Sequence, residues 1–83
     1  MFELEFVFEG TLVEIINDNP EWRLKYLGET GQIRIYELKG ADLYGVLFGN
    51  DLHILRTSLG MMYMDEEEKL CLQTKNTCYK WVI

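Results

Sequence analysis

Along the first ten positions, Phe2, Leu4, Phe6 and Phe8 alternate with Glu3, Glu5, Val7 and Glu9. A period of two places successive side chains on opposite faces of an extended chain, so the segment predicts a strand with one apolar and one acidic face. Gly10 and Thr11 interrupt the pattern, and Leu12–Ile16 resumes it as a second strand or a bulged continuation of the first. Asn17, Asp18, Asn19 and Pro20 then form the densest turn signal in the chain, because Asx side chains replace backbone hydrogen bonds and proline cannot donate one. Residues 21–31 contain Trp22, Leu24, Tyr26 and Leu27, but Gly28 and Gly31 limit any helix to barely two turns. They predict a structured loop with aromatic anchors.

Alternation returns at 32–38, where Ile33 and Ile35 oppose Arg34, Tyr36 and Leu38, with neither face marked as inward. A turn at 38–42 leads to the apolar strand 43–48, which Gly49, Asn50 and Asp51 separate from a pairing strand at 52–56. Beyond the turn at 57–60 lie MMYM at 61–64, the acidic run 65–68, and strands at 69–73 and 78–83 around the TKNT turn. A four-residue turn at 73–76 would put Cys71 opposite Cys78. A helix over 64–73 competes with the hairpin, since Asp65 and Glu68 have capping-box spacing, but no full amphipathic stripe supports it. The sum is an all-β domain of six or seven short strands: a small barrel or rolled antiparallel sheet with an added C-terminal hairpin. Curling hides apolar faces and reduces free edges. Exposed edges at either end of the chain would favour strand pairing into a homodimer.

Composition narrows the classes of function. The 83 residues accommodate one domain, 1–83, and 48% apolar composition supplies one core while leaving no room for a multidomain enzyme. Fourteen acids against eight Lys and Arg give a net charge of −6, and the basic residues are dispersed, so direct nucleic-acid binding and anionic membranes are disfavoured as partners. A basic protein surface fits better. The N-terminus lacks the basic start of a signal peptide and no apolar run approaches the ~20 residues of a membrane span, which points to the cytoplasm. In that compartment Cys71 and Cys78 read as reduced structural thiols.

GTLVEIINDNPEW, LGETGQIRIYEL and YGVLFGNDLHILR, spanning 10–56, resemble the small SH3-like barrels, including the KOW-type order of strand, Gly-x-x-Gly loop, strand and V-x-F strand. Gly28, Gly31 and Ile33 match the turn into a strand, Val46 and Phe48 the next strand, and Leu52 to Leu55 the short closing one. The resemblance implies recognition through loops and an aromatic patch, carried onto Trp22, Tyr26, Tyr36 and Tyr44. Members that bind nucleic acid are usually basic, whereas this chain is acidic, and 57–83 has no counterpart in the minimal pattern.

Chemistry-bearing residues are few. His53, the single histidine, could bond Asp51 two residues away but finds no nucleophile to complete a catalytic set. Zinc through His53, Cys71 and Cys78 lacks a Cys-x-x-Cys and a fourth soft ligand. The Asp65–Glu68 run lacks EF-hand spacing, and Gly28 with Gly31 lacks the Walker lysine. Met61, Met62 and Met64 suit core filling or a deformable contact patch. The expectation is therefore a non-enzymatic adaptor or inhibitor-like module without cofactor or metal, of the kind found among phage or mobile-element accessory proteins. It would bind a basic protein surface through Trp22, Tyr26, Tyr36, Tyr44 and the carboxylates Asp65, Glu66, Glu67 and Glu68. A structural homodimer formed by strand-edge pairing, and a nucleic-acid-associated KOW-like module acting through protein partners, are the alternatives.

Overall fold

The computed structural model describes residues 2–17, 24–51 and 53–83. Its strands are β1 (Phe2–Asn17), β2 (Thr30–Leu38), β3 (Leu43–Gly49), β4 (Ile54–Arg56), β5 (Gly60–Met64), β6 (Leu70–Thr74) and β7 (Thr77–Val82), with a 3-10 turn at Leu24–Tyr26. All pairings are antiparallel. The order β2-β1-β7-β6-β5-β3 returns to β2, so among the described residues six strands close a barrel and β4 is an additional strand beside β3. This is the expected all-β architecture of an SH3-like or related small barrel. No helix forms over 64–73; the hairpin is present instead.

The core follows from alternation on strands that have neighbours on both sides. Leu12, Ile33, Ile35, Val46, Phe48, Leu55, Leu70, Leu72, Tyr79 and Trp81 are buried. Ile33 and Ile35 therefore face inward and Arg34, Tyr36 and Leu38 outward, which resolves the face that periodicity left open. Trp81 is central. Its ring lies 5.8 Å from Tyr79 and 5.9 Å edge-on from Phe48, so the β6–β7 hairpin supplies much of the barrel's aromatic filling.

β1 is continuous through Gly10 and changes partner on the way. Residues 2–11 pair with β2, and residues 11–17 pair with β7. Gly10 is required at the handover because a Cβ there would meet the Val82 carbonyl oxygen at 2.5 Å. A bulge at Glu5 corrects the expected single apolar face. Phe2 and Leu4 oppose Leu38 and Tyr36, whereas Phe6 and Phe8 oppose the inward Ile35 and Ile33. Directly opposed residues share a face, and one extra residue reverses the parity, so the bulge puts the two apolar pairs on opposite faces.

The β6–β7 turn is also shorter than expected. Gln73 opposes Cys78, leaving Lys75 and Asn76 as the loop, and Cys71 faces Lys80. Cys71 and Cys78 are consequently not directly opposed, and both are free. The turn is held by Thr74, whose hydroxyl accepts from the Thr77 amide at 3.1 Å.

Candidate functional site: an open strand edge

The expected aromatic patch does not assemble. Trp22 and the turn at 18–20 lie outside the described residues. Tyr26 is 6% exposed and belongs to the core; its hydroxyl donates to the Ile54 carbonyl at 3.1 Å, tying the 3-10 turn to β4. Tyr36 opposes Gly45, while Tyr44, the next residue along β3, opposes Glu37. The two tyrosines therefore point to opposite faces of the β2–β3 pair. Tyr44 leans against the core, and the negative charge of Glu37 raises its phenol pKa.

The acidic turn divides into structural and free carboxylates. Asp65 accepts from the backbone amides of Glu67 and Lys69, each at 2.9 Å, and from Lys80 Nζ at 3.1 Å. The bond from the Lys69 amide, with the Lys80 bond supporting it, holds the Asp65 carboxyl below its ordinary pKa; Lys80 is raised in return by that same bond. Asp65 thus stabilises a tight turn rather than capping a helix. Glu67 pairs with Lys69 at 3.4 Å, and Glu66 and Glu68 are exposed.

His53 meets Glu29 instead of Asp51. Its Nε2 stands 3.3 Å from Glu29 Oε1, Asn50 donates to the other oxygen at 2.9 Å, and the Tyr26 ring lies 5.0 Å from the imidazole. This cluster joins the 24–29 segment to the approach to β4. Neither cysteine is part of it. Cys71 and Cys78 lie on β6 and β7, where burial raises the Cys71 thiol pKa and Tyr63 Oη approaches Cys78 Sγ at 3.9 Å. Among the described residues no three His, Cys, Asp or Glu side chains are grouped for a metal, and no helix is long and apolar enough to cross a membrane.

The feature that alternation alone did not reveal is the unfinished edge of β1. β7 ends against Thr11, so, among the described residues, positions 2–9 have β2 on one side and no strand on the other. Phe2, Leu4, Phe6, Val7 and Phe8 are 56, 50, 52, 49 and 36% exposed. The Phe6 and Phe8 rings lie 6.0 Å apart, nearly parallel. Interleaved with them are Glu3, Glu5 and Glu9; Glu3 is paired with Lys39 at 3.1 Å. Unpaired strand edges of this length are ordinarily covered, charged or paired. The register also sets Leu70 against Trp81 and Thr11 against Val82, so the 65–69 turn lies toward the end of β7 at which the open edge begins. The chain matches no family model, no curated protein and no solved structure, so nothing beyond the barrel itself ties it to the KOW group.

Proposed function

We propose that the protein is a binding module, an adaptor or inhibitor of a protein with a basic surface, and that the partner engages it as an extended segment added to the open edge of β1. The observation carrying this reading is the combination on one edge of unpaired backbone, five exposed apolar side chains and three carboxylates. Strand addition draws affinity from main-chain hydrogen bonds and specificity from alternate side chains. Because the Glu5 bulge distributes the apolar residues over both faces, an added strand gains apolar contact above and below the sheet. Carboxylates between those residues select Lys and Arg on the partner, and Glu66 and Glu68 add to the attraction from the neighbouring turn.

Pairing with a second copy through the same edge is the second reading. The strand itself carries no Lys or Arg, and of Glu3, Glu5 and Glu9 only Glu3 is paired, with Lys39, so a basic partner is electrostatically favoured over self-association. Capture from a native cell extract with wild type and an E5K/E9K double variant tests the assignment. One stoichiometric partner retained by wild type and lost by the variant is the expected result. Equal retention by both would overturn recognition through this edge, and a concentration-dependent dimer in light scattering without any captured partner would favour the homodimer.

A further inference from the structure

The outward face of β2, β3 and β4 carries a second feature, which meets the open edge at Phe2. Cross-strand register aligns Arg34, Leu47 and Arg56 in one row, with Tyr36 beside Gly45 in the next. Phe2 extends this face from β1, since it opposes Leu38, two residues along from Tyr36. Beyond β4 the chain kinks. Thr57 donates its amide to the Val46 carbonyl at 3.0 Å, and its hydroxyl accepts from the Val46 amide at 2.9 Å. That clamp raises Leu59 as a wall beside Gly45, whose missing side chain leaves an open floor: a Cβ there would stand 3.3 Å from Leu59 Cδ2. The result is a cleft of about 680 Å³ bounded by Phe2, Tyr36, Leu47, Leu59 and the Arg56 side chain. Its size falls within the ~300–1,000 Å³ typical of small-molecule sites.

Arg56 is the cation that lines this cleft; Arg34 lies beyond Leu47, in a separate groove with Glu9 and Asp51. Lys39, Lys69 and Lys80 are each paired with a carboxylate, whereas Arg34 and Arg56, like Lys25 and Lys75, form no ion pair among the described residues. Among the described residues Arg34 Nε is buried without a hydrogen-bond acceptor. In a chain of net charge −6, Arg56 stands at the rim of an apolar cleft with no ion-pair partner among the described residues. A guanidinium offers a planar fork of donors matched to a carboxylate, and an apolar surround strengthens that bond by reducing competition from water.

We propose that this cleft is a binding site for a small apolar carboxylic acid, with its aromatic or aliphatic body on Phe2, Leu47 and Leu59 and its carboxylate on Arg56. Arg34 adds long-range attraction from beyond Leu47. The cleft shares Phe2 with the β1 edge but takes a ligand of the opposite charge on Arg56, so the carboxylate variant of the edge and Arg56→Gln test the two assignments separately.

The test is a titration of isotopically labelled full-length protein followed by amide chemical shifts, with 4-phenylbutyrate as probe and 4-phenylbutan-1-ol and 4-phenylbutylamine as charge controls. Saturable shifts confined to Gly45, Leu47, Arg56 and Leu59 with the acid, and binding at least about tenfold weaker for both controls, are expected. Arg56→Gln should weaken the acid about tenfold and leave the alcohol unchanged. Gly45→Ala, which puts a methyl group on the floor while keeping both arginines, should weaken acid and alcohol alike; well-dispersed spectra of both variants establish folding. Equal binding of acid and alcohol, or an unchanged affinity in Arg56→Gln, would overturn the assignment. Tighter binding of the peptide acetyl-Leu-Glu-Leu-Glu-amide than of the free acid would overturn it in favour of a protein ligand.

Discussion

The first half of β1 and the whole of β7 are both short alternating segments, yet they end in opposite environments. β7 lies between β1 and β6, and its Tyr79 and Trp81 are 1% and 0% exposed. Among the described residues, positions 2–9 of β1 pair with β2 alone, and the phenylalanines there are 36–56% exposed. The exposed segment carries five apolar residues in eight and β7 four in six, so composition does not separate them. Alternation reports how side chains divide between two faces; burial also depends on what lies beyond each edge. The excess of apolar surface on an edge without a neighbour is the physical basis for assigning binding to β1 and stability to β7.

The strongest way to break this contrast is on the buried side. Trp81→Ala should cost about 3–5 kcal/mol, the range for losing a large aromatic from a packed core, and chemical denaturation should show a domain near or below its folding limit. Phe6→Ser with Phe8→Ser should change stability by only about 1 kcal/mol in the same measurement while abolishing partner capture. A loss comparable to that of Trp81→Ala would show that the open edge is structural and would remove the contrast.

A smaller effect is expected where the acidic turn is fastened to β7. Asp65 has a lowered pKa in the folded state, chiefly through the bond from the Lys69 amide, so its stabilisation is fully present above the ordinary value of 3.8 and is lost as pH falls through the lower folded value. Lys80 is raised above 10.5, chiefly by its bond to Asp65, so its contribution is present below that value and disappears as pH rises through the higher folded one. Asp65→Asn should therefore lower the melting temperature by a near-constant amount from weakly acidic to weakly alkaline pH, with the two melting curves converging in strong acid. A difference that peaks below pH 3 would contradict the assigned bonds.

The smallest perturbation is chemical. Cys71 is fully buried, and its thiol pKa is raised first of all by that burial. Alkylation of the native protein should be slow at Cys71, and intact mass should show two free thiols with or without prior reduction. Rapid double labelling would indicate that the β6–β7 hairpin opens as readily as the β1 edge.

Much of the fold is legible in the sequence because local patterning and tertiary burial agree. Ile33 with Ile35 and Tyr79 with Trp81 alternate on strands with two neighbours, and Lys75-Asn76 closes a hairpin between two β-rich runs. The candidate site is less legible. Tyr26 resembles a loop anchor until its hydroxyl is seen on Ile54, and Asp65 resembles a member of an acidic patch until its bonds to Lys69 and Lys80 are drawn. Arg34 and Arg56 are 22 residues apart and become neighbours on one face only because both β2 and β4 pair with β3.

The sequence by itself determined an all-β domain, its strand positions and its acidic balance, since side-chain alternation, turn chemistry and formal charge are local properties. Tertiary structure decided which edge stayed open, which face each phenylalanine joined and which charges found partners. One bulge residue at Glu5 reverses the face assignments from Phe6 to Leu12, a second register shift between Leu12 and Glu14 reverses them again, and the end of β7 at Thr11 determines how much of β1 remains unpaired. Those outcomes depend on register between segments distant in the chain.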